Sequence, residues 1–185
     1  MAARNGLLGH TELYLRYGAA LDKENDEGKT PLNAACSHPQ EPKDLERYLQ
    51  VCLLLLEAGA DLHAKDQDKQ TPLHMACKNV NPEVVDLLLA RGACVNEMDY
   101  GGQAPMHNIL KVVCYKISHE PERVVRSLLN HGSIRVWPGA LPTVSASGLV
   151  GYVVHSSNLH HCTQIFHSDF ACCSCALYEV FKGSR

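Results

Sequence analysis

Apolar positions form three long runs along the first two-thirds of the chain, and each run ends at a glycine: "QVCLLLLEAGADLHAK", "EVVDLLLARGACVNEM" and "RVVRSLLNHGSIRV". In the middle run, the residues from Val84 to Leu89 give the broad apolar stripe of a helix that packs on a core. Gly92 can adopt the left-handed conformation that ends such a helix. The pattern therefore predicts three amphipathic helices.

A shorter segment with its own start signal precedes each run: "DEGKTPLNAAC", "DQDKQTPLHMAC" and "DYGGQAPMHNIL". Thr71 can cap a helix, and Pro72 takes the first helical position, where its missing N–H costs nothing. Asn81 and Pro82 repeat this signal before the second helix. Each unit is thus predicted to be a helix, a turn and a helix, followed by an exposed polar hairpin.

The units recur with a fixed period. Gly59 and Gly92 are 33 residues apart, as are Thr71 and Ala104, whereas Thr30 and Thr71 are 41 apart. The extra residues of the second and fourth units, "SHPQEPKDLERYL" and "KVVCYKISHEPER", fall between the paired helices. They predict a longer loop and extra turns on the second helix; we read them as a solvated face, with an enlarged binding lip as the alternative.

A 33-residue period that carries Thr-Pro-Leu-His resembles the ankyrin repeat family. The resemblance implies an all-α ankyrin-repeat solenoid, in which stacked units bury the apolar stripes and leave a concave binding face. We divide the chain into a partial repeat over 1–25, a repeat with an insertion over 26–65, a repeat over 66–98, a repeat with an insertion over 99–136, and a divergent tail over 137–185 that we expect to be disordered.

The first unit, "AARNGLLGHTELYLRYGAALDKEN", matches only the back half of a repeat. A terminal repeat needs a polar outer face. Here four leucines should have little to cover them, namely Leu7, Leu8, Leu13 and Leu15. We therefore expect the first helix to fray and the chain to be a fragment or alternative product of a longer array.

Composition excludes several classes of function. The chain has 185 residues with a net charge of −3, so it lacks the basic footprint of a nucleic-acid binder. Its longest aliphatic run, 51–56, is too short to cross a membrane. Nine cysteines, an odd number, without a secretory pattern indicate a reducing compartment. We expect an intracellular, cytoplasmic protein, with the nucleus also possible.

The residues that could carry chemistry repeat with the units. His74 and His107 share one repeat position, which favours a structural bond to the helix cap over catalysis. Cys36 and Cys77 share another, and we read them, with Cys52, as small core residues. No set of nucleophile, base and orienting group stands out. We therefore expect no enzyme activity and no cofactor.

Binding to a target protein is the function that the predicted concave face favours. We expect the hairpin tips and the ends of the first helices to line this face. Tyr100 is the best single anchor, because tyrosine is enriched in binding hot spots; the alternative is that these are ordinary solvated residues. The candidates are Asp26, Glu27, Lys29, Gln67, Asp68, Gln70, Tyr100 and Gln103 at the tips, and Lys78, Asn79 and Lys111 at the helix ends.

The segment after the last repeat, "LLNHGSIRVWPGALPTV", resembles the junction in a subgroup of ankyrin repeat and SOCS box proteins, and the long inter-helix loops are similar to that subgroup too. The resemblance implies that the repeats recruit a target protein. It also implies that a SOCS box recruits elongin B, elongin C and a cullin to form a ubiquitin ligase.

Residues 143–185 depart from that pattern. They show neither a leucine followed four residues later by cysteine or a small residue and then by a further apolar anchor, nor the Leu-Pro-rich cullin-contacting stretch. We expect this form to bind a target without assembling the ligase; a free-standing ankyrin scaffold is the alternative. A third hypothesis is a metal- or redox-active tail at "HHCTQIFHSDFACCSC". Its ligand spacing does not match that of structural zinc sites, so we predict no metal.

Overall fold

The computed structural model describes residues 1–39, 41–112, 116 and 119–134. Within these residues the chain forms seven α-helices, one 3₁₀ turn at Pro42–Asp44 and no β-strand. The helices are α1 Leu8–Arg16, α2 Pro31–Ser37, α3 Leu45–Glu57, α4 Pro72–Asn79, α5 Pro82–Ala90, α6 Pro105–Val112 and α7 Pro121–Asn130. The expected all-α ankyrin solenoid is confirmed; the tail over 137–185, predicted to be disordered and without metal, lies outside the described residues.

Proline and its capping residue start the helices as the sequence predicts. Asn81 precedes α5, and its side chain accepts a hydrogen bond from the backbone N–H of Val84 at 3.0 Å. Thr71 precedes Pro72 at the start of α4. After α5, Gly92 takes a φ of +90°, a conformation that L side chains rarely adopt. Caps and stop signals thus place the ends of each helix pair.

The helices stack in two layers. The inner layer is α2, α4 and α6, and the outer layer is α1, α3, α5 and α7, with neighbours in each layer in contact. One continuous core runs through both layers and includes Leu32, Leu73 and Leu88, all at most 1% exposed. Small residues such as Ala76 let adjacent inner helices approach closely. The core thus passes from each repeat to the next, which is how repeat arrays gain stability.

The three cysteines predicted to be core residues are buried. Cys36 and Cys52 face each other with their Sγ atoms 3.8 Å apart, and the Sγ–Sγ hydrogen bond and burial raise the pKa of Cys36. Burial likewise raises the pKa of Cys77. Cys36 and Cys77 therefore remain protonated, and all three cysteines act as small apolar side chains, as expected.

The leucines of the first repeat are less exposed as a group than the sequence predicts. Leu7, Leu8 and Leu13 are 37–49% exposed. Leu15, however, packs against the core, so its predicted exposure is wrong. The reason is that α1 lies against α3, and the side chain of Tyr48 in α3 donates a hydrogen bond to the carbonyl of Arg4 at 3.1 Å.

The two insertions are accommodated differently. In the second repeat, the 3₁₀ turn precedes α3, which has 13 residues against 9 in α5, so the predicted extra turn is confirmed. In the fourth repeat, α7 has only 10 residues, so extra turns were the wrong prediction there. Pro121 occupies the first turn of α7 and sets its start, which leaves the added residues between α6 and α7.

Candidate protein-binding face

Each hairpin tip is shaped by one polar side chain that folds the backbone back on itself. The Oδ1 atom of Asp66 accepts hydrogen bonds from the backbone N–H groups of Asp68, at 3.0 Å, and Gln70, at 2.8 Å. Asn25 has the equivalent position and makes both equivalent bonds, and Asp99 makes the second, from the N–H of Gln103. Asn and Asp favour such turns because their short side chains reach the backbone two residues on. The three tips therefore share one geometry.

Neighbouring tips are joined by backbone hydrogen bonds, which turn them into a continuous ledge. The N–H of Tyr100 donates to the carbonyl of Asp68 at 3.0 Å, and the N–H of Gln67 donates to the carbonyl of Glu27 at 3.4 Å. The side-chain amide of Gln67 adds a bond to the carbonyl of Asp26 at 2.9 Å. We call residues 25–29, 66–70 and 99–103 the tip ledge. These hydrogen bonds hold the backbone of the ledge in a defined conformation.

Tyr100 lies on the tip ledge with 68% of its surface exposed. The Lys69 ammonium sits 4.6 Å from the centre of its ring, within the range of a cation–π contact. This contact restricts the ring without covering it. Tyr100 therefore offers an open aromatic surface, although its role in binding remains a prediction.

The inner-helix ends stand beside the ledge, and one predicted contact residue is not accessible there. Lys78 and Lys111 are exposed, and the Lys111 ammonium donates a hydrogen bond to the side-chain oxygen of Gln103 on the ledge. Asn79, by contrast, is only 6% exposed and donates to the carbonyl of Cys36 at 2.6 Å. Asn79 thus joins two inner helices, and its prediction as an exposed contact residue is wrong.

Some of the other candidates are partly occupied by contacts within the ledge. The side-chain amide of Gln70 donates to Asp99 at 3.2 Å, and the Lys29 ammonium forms an ion pair with Glu27 at 2.6 Å. Gln70, Gln103 and Lys29 are half-buried. The structure therefore brings the candidates onto one face and leaves seven of them exposed, namely Asp26, Glu27, Gln67, Asp68, Lys78, Tyr100 and Lys111.

Sequence reasoning missed Lys116, which lies in the fourth-repeat insertion. Its ammonium donates to the carbonyl of Asn79 at 3.1 Å, so it reaches back across the end of α4. Partial burial, and then the charge of Lys78, lower the pKa of Lys116. A distinct signal in the sequence was absent, because the insertion has no equivalent in the other repeats from which its position could be inferred.

The repeated histidines have the structural role that their spacing predicts. The Nδ1 atom of His74 accepts a hydrogen bond from the N–H of Thr71 at 3.2 Å, and Nε2 donates to the carbonyl of Gln103 at 3.0 Å. His107 repeats the first bond with the N–H of Ala104 at 3.0 Å. Burial lowers the pKa of both rings, so they stay neutral at physiological pH.

Two findings bear on other classes of function, and both refer only to the described residues. No group of three or more His, Cys, Asp or Glu side chains there is placed to hold a metal ion. None of the seven helices has the length and apolarity to cross a membrane.

Paired helices and linked hairpin tips define an ankyrin array, and the comparison with known families agrees. The family model for ankyrin repeats in three copies matches residues 44–137, and the chain belongs to the ankyrin repeat family. Because stacked ankyrin repeats form an extended concave binding surface, the chain is a protein-binding ankyrin module.

The similar proteins are named for a SOCS box as well as for ankyrin repeats. The chain is 52% identical over 128 residues to mouse "Ankyrin repeat and SOCS box protein 10", 37% over 141 residues to mouse "Ankyrin repeat and SOCS box protein 16", and 42% over 144 residues to human "Ankyrin repeat and SOCS box protein 18". These alignments cover 66%, 76% and 78% of this chain but only 27%, 31% and 31% of the relatives. The chain spans less than a third of their length.

Proposed function

We propose that the chain recognises a target protein as the ankyrin part of an adaptor for a cullin–elongin ubiquitin ligase. The observation that carries the proposal is the 52% identity to a protein named for both ankyrin repeats and a SOCS box, over most of the repeat array. The tip ledge and Tyr100 supply the contact surface. The proposed site of action is intracellular and cytoplasmic.

The second part of the proposal concerns ligase assembly. The sequence of residues 143–185 lacks the leucine–cysteine spacing and the Leu-Pro-rich stretch through which a SOCS box would recruit elongin and cullin. We therefore propose that residues 1–185 bind the target and do not by themselves recruit elongin or cullin.

Affinity capture tests both parts in one experiment. The tagged chain, the Tyr100→Ala variant and a full-length relative carrying a SOCS box are used to capture partners from the same lysate. We expect the chain and the relative to share at least one target, the variant to lose it, and only the relative to retain elongin B and elongin C. Stoichiometric elongin on this chain would contradict the second part.

The His63→Ala variant is the control for a loss of capture that is not specific to the tip ledge. His63 is exposed, as Tyr100 is, but it lies outside the tip ledge. If both substitutions reduce capture equally, the ledge is not the binding surface. If the chain and the relative share no target, the free-standing ankyrin scaffold becomes the better assignment.

A further inference from the structure

Positive charge collects at the inner-helix ends of the third and fourth repeats. Lys78 and Lys111 lie 33 residues apart, in the last turns of α4 and α6, and both are exposed. Because α4 packs against α6, the shared register places the two lysines at equivalent positions of neighbouring helices. The helix dipole favours a cation at each of these helix ends. The repeat therefore generates a pair of adjacent cations.

Lys116 adds a third charge from a different part of the chain. It bonds the carbonyl of Asn79, the residue next to Lys78, and the Lys78 charge contributes to lowering its pKa. We call Lys78, Lys111 and Lys116 the lysine cluster. The bond from Lys111 to Gln103 connects this cluster to the tip ledge, and Tyr100 lies on that ledge.

The lysine cluster is not neutralised, unlike several cations elsewhere in the protein. On the outer helices, Arg123 pairs with Glu83 at 2.8 Å and with Asp86 at 2.9 Å. In the second repeat, Lys43 pairs with Glu41 at 2.6 Å. Among the described residues, no carboxylate lies within ion-pair distance of any of the three lysines of the cluster.

The other half of the concave side differs in charge. There Glu27 sits between two cations, and its bond to Lys29, followed by the charges of Lys29 and Arg4, lowers its pKa. Lys29, the lysine at this end of the tip ledge, is thus paired with a carboxylate. The third and fourth repeats present uncompensated positive charge beside an open aromatic ring.

We propose that the lysine cluster and Tyr100 dock an extended segment of the target protein that is rich in Asp and Glu. The inference rests on the proposed function, and it adds the chemistry of the partner and the half of the face that binds it. Carboxylates of the segment take the lysines, and an apolar or aromatic side chain covers Tyr100. A nucleic acid fits less well, because its affinity rests on many phosphate contacts made at once and the cluster offers three lysines.

A defined peptide tests this chemistry directly. A fluorescein-labelled peptide of alternating glutamate and serine, with a tyrosine at its centre, is titrated with the full chain by fluorescence anisotropy. Its counterpart has glutamine in place of glutamate. We expect only the glutamate peptide to bind, and its binding to weaken between ionic strengths of about 10 mM and 0.15 M, because the screening length falls from about 30 to 8 Å.

Charge reversal then locates the site. Lys78→Glu combined with Lys111→Glu is expected to weaken binding at least about tenfold, since two attractions become two repulsions between exposed charges. The matched control is Arg91→Glu with Arg126→Glu, two exposed cations of the outer layer. Lys78→Gln with Lys111→Gln is expected to weaken binding about threefold, and thermal melting verifies that all variants fold.

The outcomes separate the inference from the function on which it rests. Equal binding of both peptides, or equal loss in the cluster and control variants, overturns the inference. So does a single-stranded RNA of equal charge that competes more strongly than the glutamate peptide. Target capture that survives the charge reversal also overturns the inference but leaves the proposed function standing. Failure of the unaltered chain to share any target with its relative instead removes the proposed function, whatever the peptide does.

Discussion

Replacing His74 by alanine is expected to destabilise the array, because the ring joins two repeats from a fully buried position. Its Nδ1 atom is the acceptor for the N–H of Thr71, which is itself only 4% exposed. Without the ring, that N–H is left buried and unpaired, at a cost of about 1–3 kcal/mol. The lost bond to Gln103 adds about 1 kcal/mol. The free energy of unfolding should therefore fall by about 2–4 kcal/mol.

Urea unfolding at neutral pH, followed by circular dichroism, measures this change. His74→Asn is the informative second variant, because Asn33 holds the same position in the second repeat and its side chain donates to the carbonyl of Ala64 at 3.0 Å. Asparagine should recover part of the loss. The exposed His63→Ala is the control and should change stability by less than about 0.5 kcal/mol. A loss for His74→Ala no larger than that of the control refutes the reasoning.

Three further predictions follow from the same contacts. Burial lowers the pKa of His74 and His107, so as the pH falls these residues take up protons in the unfolded chain before they do so in the folded chain. Stability should therefore be full above about pH 6.5 and fall as the pH drops below that value. Thermal melts across this range should show a shallower fall for His74→Asn. Asn79→Ala removes the bond to Cys36 and should cost about 1–3 kcal/mol in urea unfolding; a cost near zero would mean that the buried carbonyl finds another donor. Tyr100→Ala should leave the melting temperature unchanged and reduce target capture, and a large drop in melting temperature would instead indicate a structural role.

The repeats could be predicted from the sequence because their start and stop signals are local. Thr71 with Pro72, Asn81 with Pro82, and Gly92 act within a few residues of their own position, so no knowledge of tertiary contacts is needed. The structural role of the histidines could also be predicted from the sequence, because a catalytic group would not recur with the period of the repeats.

The errors arose where contacts come from distant segments. Asn79 was placed on the exposed face because the repeat register locates the end of α4 but not the atoms of the neighbouring repeat that lie beside it. In the structure its side chain turns inward and donates to the carbonyl of Cys36, 43 positions earlier. Leu15 is covered by packing between α1 and α3, and Lys116 is positioned by Asn79 from an insertion that has no repeat equivalent. The length of α7 depended on where Pro121 starts the helix.

The placement of the insertions has a consequence for how this architecture can diversify. The tip-to-tip bonds, from Tyr100 to Asp68 and from Gln67 to Glu27, connect adjacent repeats at positions outside the inter-helix segments. Residues added between paired helices therefore leave these tip-to-tip bonds in place. Natural variation or protein engineering can lengthen these segments and alter what the array recognises while keeping the connection between repeats, so the two properties are free to evolve separately.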